Sequence, residues 1–170
     1  MRIALLTFAI AFGCATDPSA MDESEGANES ESSGGDSPSD APPTDGDALQ
    51  RWLERGEYRA WAAESGVHGS SGPHGSSGVR TFVSDALVAS FMAEAAEHPV
   101  GSAAVKELYS GDAISGYAVM VKVEAGRGGD GWYWFERVGN STYADGIGEG
   151  LCTGCHGAGA DQVLTPWPLQ

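Results

Sequence analysis

The residues with the clearest chemical potential form a pentapeptide near the end of the 170-residue chain. Cys152 and Cys155 are three positions apart and His156 follows directly, which gives the pattern C-x-x-C-H. This is the covalent attachment pattern of a c-type haem, in which each thiol adds to one vinyl group of the porphyrin. The neighbouring imidazole reaches the iron as the proximal ligand. The sequence therefore predicts covalently bound haem c, with His156 as the iron ligand.

Two other interpretations of the cysteine pair stay open. A C-x-x-C pair is also half of a zinc site or the dithiol of a redox protein. A zinc site needs more ligands, but the other cysteine is Cys14 and the other histidines lie far upstream. A thioredoxin-like dithiol belongs to a βαβ pattern, whereas this pair lies near the C-terminus. Haem is the preferred interpretation, and an exported non-haem binding module with a Cys152–Cys155 disulfide is the alternative.

The first 13 residues predict a lipoprotein-type signal peptide. Arg2 supplies a positive charge, and residues 3–12 form an apolar run that is too short to span a bilayer as a helix. Residues 11–14 resemble a bacterial lipoprotein cleavage site, after which Cys14 becomes the lipidated first residue of the mature protein. Several acyl chains on one cysteine give a stable membrane anchor. An ordinary cleaved signal that discards Cys14 is the alternative.

The cysteine count links the anchor to the haem. One lipidated cysteine and two haem cysteines account for all three cysteines of the chain. Haem c is attached outside the bacterial cytoplasm, so the export signal and the haem motif agree. By analogy with sorting in other bacteria, Ala15 directly after Cys14 favours the outer membrane. We expect a lipid-anchored protein that faces the periplasm or the cell surface.

Residues 14–47 predict an acidic, disordered linker. Between Ala15 and Asp47 there are ten acidic residues and no Lys or Arg, and Ser, Gly and Pro make up most of the rest. Such a segment cannot bury enough apolar surface to offset the entropy lost on ordering. We expect it to tether a globular domain, residues 48–170, to the membrane.

The linker also carries much of the net charge of −15. Ten of the 24 acidic residues lie in it, which leaves 14 acids and eight bases, a net charge of −6, in residues 48–170. No basic patch stands out in this domain. Nucleic acid is therefore not an expected partner.

The domain predicts an α+β fold rich in antiparallel sheet. Helical spacing predicts one helix over residues 49–64, and Ser84 or Asp85 caps a second helix that runs to Glu97 before His98. Alternating and apolar runs predict strands over residues 80–83, 102–109, 114–124 and 131–138. Because the strands are consecutive and closely connected, an antiparallel meander is favoured.

Two regions of the domain predict loops. Residues 65–78 contain a near-repeat of a histidine followed by Gly and Ser, which is typical of a loop. The C-terminal segment with the haem motif also predicts a loop. His68 and His74 of the repeat are candidate sixth ligands of the iron, although loop histidines more often bind backbone groups or water.

The order of motifs from about His68 onward resembles the cytochrome P-460 and cytochrome c′-beta family. The matching pieces are His68-Gly69, His74-Gly75, and residues 79–86, 98–107, 120–122, 131–134 and 152–157. The resemblance implies a sheet-rich fold, usually a homodimer, with a five-coordinate haem and an open distal side. Members of the family either bind gases such as nitric oxide or oxidise hydroxylamine. An ordinary small cytochrome c differs, because it is helical and has a Met ligand downstream of the motif.

Lys106 is the candidate catalytic residue. The oxidising members of the family cross-link a lysine to the porphyrin, and Lys106 matches that lysine best. In a strand, Lys106 shares one face with Ala104 and Leu108, so it points among apolar neighbours. A lysine that reaches water from an edge position is the alternative. The oxidising members also have a distal carboxylate, where the alignment gives Ala118.

Aromatic residues crowd the last predicted strand, at residues 132–135. Because side chains alternate along a strand, one pair is expected to pack against the haem or core, and the other against a helix or a second subunit. Together, these patterns predict a membrane-tethered monohaem cytochrome. It would bind or convert a small nitrogen ligand, or pass electrons to a redox partner protein.

Overall fold

The computed structural model describes residues 41–70, 72–74 and 77–170. The predicted signal peptide, the lipidation site Cys14 and the predicted linker as far as residue 40 lie outside the described residues. Among the residues described, no helix has the length and apolar character to cross a membrane.

A six-stranded antiparallel sheet forms the centre of the described part of the chain. Each strand pairs with the next one in sequence, so the spatial order is the chain order. The strands are β1 (Ala62–Ala63), β2 (Gly78–Val83), β3 (Ala103–Ser110), β4 (Ala113–Lys122), β5 (Trp132–Val138) and β6 (Ser141–Ile147). The helices are α1 (Gly46–Arg55), α2 (Asp85–Met92) and α3 (Gly150–His156), with short 3-10 turns at Glu57–Ala60 and Gly128–Gly131. The predicted α+β class and antiparallel meander are confirmed.

Helix α1 begins before the predicted start of the domain and ends before the predicted end of the helix. The side chain of Asp45 caps it by accepting a hydrogen bond from the N–H of Ala48, at 2.9 Å. Residues 45–47 therefore belong to the fold, and the boundary predicted at residue 47 was too late. Gly56 ends the helix in a left-handed conformation with φ of 71°, so the helix predicted through residue 64 was too long.

Helix α2 begins where the sequence predicts and ends early. The hydroxyl of Ser84 accepts a hydrogen bond from the N–H of Ala103 at 2.9 Å and caps the helix, which ties its start to β3. The helix stops at Met92, although the predicted helix ran to residue 97. His98 therefore does not end α2. It is buried after a turn, with its Nδ1 2.8 Å from the hydroxyl of Ser90.

The segment after β5 is not the predicted loop. Residues Ser141–Ile147 pair with β5 as an edge strand, and Gly150–His156 forms helix α3, which contains the haem motif. Strand β6 carries Ser, Thr, Asp and Gly. Ala144 is buried, Gly146 is half-buried, and the other residues of the strand are exposed. It lacks the alternation of apolar residues that identifies a strand in a sequence.

The sheet separates two hydrophobic cores, and the aromatic residues of β5 divide between them. Tyr133 and Phe135 pack with α1 on one face, whereas Trp132 and Trp134 pack on the other face with Cys152. The first core also contains Leu49, Trp52, Leu53, Tyr58, Phe82, Ala103, Val105, Val119 and Val121. The second also contains Val83, Leu87, Ala104, Met120, Ala144 and Val163. The predicted division of the aromatic strand is confirmed.

Candidate haem site

Helix α3 brings the three residues of the haem motif to one side. Cys155 and His156 are three and four positions after Cys152, so their side chains lie over the same helix face. Cys152 is buried, Cys155 is exposed, and both are free thiols. Burial raises the pKa of the Cys152 thiol to about 11. A dithiol redox pair needs a thiolate at neutral pH, so this environment does not favour that interpretation.

His156 is fixed in one tautomer by the backbone of the turn that follows α3. Its Nδ1 lies 2.8 Å from the carbonyl oxygen of Gln162. Because a carbonyl oxygen only accepts hydrogen bonds, Nδ1 must carry the proton and donate it. The lone pair of Nε2 is then available to a metal. Burial also lowers the pKa of His156, which favours the neutral imidazole that binds metals.

The imidazole ring of His156 is packed by a neighbouring indole. The ring centres of His156 and Trp134 are 4.8 Å apart, in an edge-to-face arrangement. The indole N–H of Trp134 donates to the carbonyl of Gly129, at 3.3 Å, which fixes the indole in turn. The orientation of the ligand candidate is therefore set by the sheet as well as by its own helix.

A small pocket of about 40 Å³ lies between α3 and the sheet. Its walls are His74, Thr81, Ala104, Lys106, Ala118, Val119, Met120, Trp134, Phe135, Glu136, Cys152, His156 and Thr165. A second pocket of about 420 Å³ shares His74, Glu136, Cys152 and His156 with the first and is also lined by Cys155. Apolar pockets of roughly 300–1,000 Å³ with a few convergent polar groups are typical of cofactor and ligand sites, and the second pocket lies in that range.

Lys106 lines the same pocket as Cys152 and His156. It lies directly across the sheet from Thr81 on β2 and from Ala118 on β4, so these residues share one face. Burial lowers the pKa of the Lys106 amine, an effect that Glu64 and Glu136 oppose. Ala104 lines the same pocket as Lys106, and so do the polar residues His74, Thr81 and Glu136, so the surroundings of Lys106 are mixed.

Glu136 is a carboxylate of the pocket that the sequence analysis missed. It is the cross-strand partner of Ala118, the position where the family alignment lacks an acid. A signal was present, because Trp132, Trp134 and Glu136 are two apart on β5 and must share a face. The Oε2 atom of Glu136 lies 3.1 Å from Nδ1 of His74. Nδ1 of His74 makes no hydrogen bond with suitable geometry, so this is a close polar contact and not a hydrogen bond.

The two candidate loop histidines have different positions. His74 lines both pockets, and its ring centre is 6.0 Å from that of His156. His68 lies outside the walls of both pockets, with its Nε2 3.0 Å from the carboxylate of Glu64. That hydrogen bond raises the pKa of His68. Of the two, only His74 is therefore close to the motif.

The zinc interpretation has no ligand set in the part of the chain that the structure describes. There, no group of three or more His, Cys, Asp or Glu side chains is arranged to hold a metal ion. Haem c has different requirements, namely two free thiols, one imidazole with an available nitrogen and an apolar space beside them. Cys152, Cys155, His156 and the second pocket fit those requirements.

No protein-family model matches the chain, and no curated protein or solved structure matches it significantly. The fold and site define an antiparallel α+β domain with an apolar pocket beside a C-x-x-C-H helix. The resemblance to the cytochrome P-460 and cytochrome c′-beta family stays a prediction.

Proposed function

We propose that this protein is an exported, membrane-tethered monohaem c-type cytochrome. It binds or converts a small nitrogen ligand such as nitric oxide or hydroxylamine, or transfers electrons. The observation that carries the proposal is the hydrogen bond from Nδ1 of His156 to the carbonyl of Gln162, at 2.8 Å. A metal-binding histidine commonly donates its second ring N–H to a carbonyl or a carboxylate, which orients the ring and raises its basicity.

Each residue of the motif has a separate role in this proposal. Cys152 and Cys155 would hold the porphyrin through thioether bonds, and His156 would bind the iron through Nε2. When bound, haem c would supply an iron that can bind a small ligand and exchange electrons. Met120 and Trp134 line the pocket and exclude water, so they favour small and weakly polar ligands.

The polar groups of the pocket support the handling of protons. Oxidation of hydroxylamine releases protons, and a base within reach of the ligand is needed to accept them. Glu136 and His74 both line the pocket, so both are candidate proton acceptors for the ligand. His74 also lines the larger pocket, which provides a route to solvent.

Lys106 favours a second, enzymatic version in which the protein oxidises hydroxylamine. Its amine lines the pocket, and burial lowers its pKa, so more of the neutral and nucleophilic form is present. In this version Lys106 is cross-linked to the porphyrin. Mass analysis of the haem peptides after digestion tests it. A Lys106 peptide recovered free of haem would contradict the cross-link.

The absorption spectrum of the purified protein tests the proposal as a whole. Expression in a host with haem c maturation machinery should give a coloured protein with a high-spin spectrum that shifts on adding nitric oxide. A Cys152→Ala/Cys155→Ala variant is the matched control, and it should lose covalent haem while it retains the sheet. A colourless wild-type protein would contradict the proposal and favour the disulfide alternative. A low-spin spectrum that nitric oxide leaves unchanged would restrict the function to electron transfer.

A further inference from the structure

We propose that the buried ion pair between Lys122 and Asp161 positions the proximal ligand, by holding the turn whose carbonyl binds His156. This inference rests on the proposed haem site. Lys122 is absent from the walls of both pockets around the motif. It therefore acts on the ligand through other residues, and its role is that of a positioning residue.

The ion pair is enclosed by the protein. The side chain of Lys122 is 0% exposed and that of Asp161 is 7% exposed. The Nζ of Lys122 lies 2.8 Å from each oxygen of the Asp161 carboxylate. It also lies 3.2 Å from the carboxylate of Glu97, but that side chain is 46% exposed. The closer and less exposed carboxylate partner of Lys122 is therefore Asp161, in the turn after α3.

Asp161 is held by two further donors from the sheet side of the molecule. The backbone N–H of His98 donates to its Oδ2 at 2.9 Å. The indole N–H of Trp132 reaches its Oδ1 at 3.4 Å. The Lys122 ammonium also lies over the Trp132 ring, 5.2 Å from its centre. The carboxylate of Asp161 is thus the point where the turn is attached to β4 and β5.

The turn adopts a backbone conformation that one of its two central residues, Gln162, does not favour. The N–H of Val163 bonds to the carbonyl of Ala160 at 2.9 Å, so residues 160–163 form a β-turn. The two central residues, Asp161 and Gln162, have positive φ values of 42° and 74°. These are the signs of a type I′ turn, which usually has Asn, Asp or Gly there, and glycine at the second position is preferred. Gln162 is a poor residue for this position, so contacts from outside the turn must stabilise it.

The backbone before the turn is also closely packed. A Cβ atom at Gly159 would collide with the carbonyl oxygen of Val163. The N–H of Gly159 bonds to the carbonyl of His156 at 2.9 Å, which joins the turn to the end of α3. The turn therefore has little freedom to move as a unit unless its attachment at Asp161 is lost.

These contacts form a continuous route from the sheet to the ligand. Lys122 forms the ion pair with Asp161, and Gln162 is the residue after Asp161. The carbonyl of Gln162 accepts the hydrogen bond from Nδ1 of His156 at 2.8 Å. A buried ion pair contributes little net stability, because desolvation of both charges offsets their attraction. Its geometry is nevertheless specific, and here it fixes the position of one carbonyl. The strength of that hydrogen bond sets how strongly the imidazole donates to iron.

The iron–histidine stretching band in the resonance Raman spectrum of the ferrous holoprotein tests the inference. The variants are Lys122→Met, Asp161→Asn and the double variant Lys122→Met/Asp161→Asn. The double variant keeps the size of both side chains and leaves no uncompensated buried charge, so it remains informative if a single variant fails to fold. We expect the band to move to lower wavenumber and to broaden, because a weaker hydrogen bond at Nδ1 makes the imidazole a weaker donor.

Glu97→Gln is the matched control, since it removes the other carboxylate near Lys122 without touching the turn. Its band should coincide with that of the wild-type protein. An equal shift in this control would assign the effect to a nearby charge and overturn the inference. A folded double variant with an unshifted band would also overturn it, while the haem proposal would stand. Absence of the band from ferrous wild-type protein that is itself colourless would overturn the haem proposal, and this inference with it.

Discussion

His156 is held from two sides, by the carbonyl of Gln162 and by the ring of Trp134. If it is the iron ligand, His156→Gly should keep haem through Cys152 and Cys155 but lose the iron–histidine band. The larger pocket reaches this residue from solvent, so added imidazole should enter and restore the band. Resonance Raman spectra with and without imidazole make the measurement. A variant spectrum identical to that of the wild-type protein would contradict the assignment.

Glu136 gives a second prediction at the same scale. If the protein oxidises hydroxylamine, Glu136→Gln should lower kcat by about 10²-fold, since general acid–base groups contribute roughly 10²–10⁴-fold. The haem absorption should remain unchanged, because the glutamine keeps the size of the side chain. Steady-state kinetics of hydroxylamine oxidation provide the measurement. Asp112→Asn, in the exposed turn between β3 and β4, makes the same change of charge and should have no effect.

The residues of the site differ in how far the sequence could predict them. The spacing of Cys152, Cys155 and His156 predicts their grouping, because any helix or tight turn brings such positions together. The pocket position of Glu136 follows from the two-residue period of β5, because Glu136 shares a face with Trp132 and Trp134. The Gln162 contact has no signal in the sequence. It is made by a backbone oxygen, and it depends on the left-handed conformation of Gln162, which the side-chain preference of glutamine does not favour.

Among the elements, α1 packs on the sheet face opposite the pocket, so its stability and the haem chemistry should be separable. Leu49 is fully buried in that core. Leu49→Ala should lower the free energy of unfolding by about 2–5 kcal/mol, from lost burial and the cavity left behind. The visible spectrum should not change. Urea titration followed by fluorescence and by haem absorption gives both quantities, and Val100→Ala at an exposed position is the control. A shifted haem spectrum in Leu49→Ala would show that the faces are coupled.

The segment between α2 and β3 gives a prediction about pH. His98 is 3% exposed, and burial lowers its pKa from the ordinary value of 6.5. Below pH 6.5 the unfolded chain therefore binds a proton that the folded protein does not, and stability falls as the pH falls. The loss approaches about 1.4 kcal/mol per pH unit until the folded pKa is reached. Urea titrations from pH 7 to pH 5 should show a smaller loss for His98→Gln. Equal slopes would mean that the pKa of His98 is the same in the folded and unfolded states, which would contradict the prediction.

Element boundaries were predictable where the sequence contains a recognisable capping residue. Ser84 marks the start of α2 in the sequence and in the structure. Asp45 and Gly46 look like linker by composition, yet they begin α1, because Asp and Gly are also common in caps and tight turns. Strand β6 was not predictable, since an edge strand with polar side chains is identified only by its pairing with β5.

At the scale of the whole molecule, loss of the predicted lipid anchor on Cys14 should leave the domain of residues 48–170 unchanged. Cys14→Ser removes the predicted acceptor of the lipid and changes nothing in residues 48–170. The variant should move from the membrane fraction to the soluble extracytoplasmic fraction with its haem content unchanged. Immunoblots and haem staining of fractionated cells make the measurement. Retention in the membrane fraction would contradict lipidation at Cys14.

The two-sided sheet has a consequence for how this protein can change over time. Leu49 and Tyr58 lie on the sheet face opposite the motif, so substitutions around them do not alter the core beside the motif. Substitutions around Trp134 and Val163 change the core that also contains Cys152 of the motif. The face that carries α1 can therefore change in sequence, or gain a binding surface, while the site on the face with the motif stays the same.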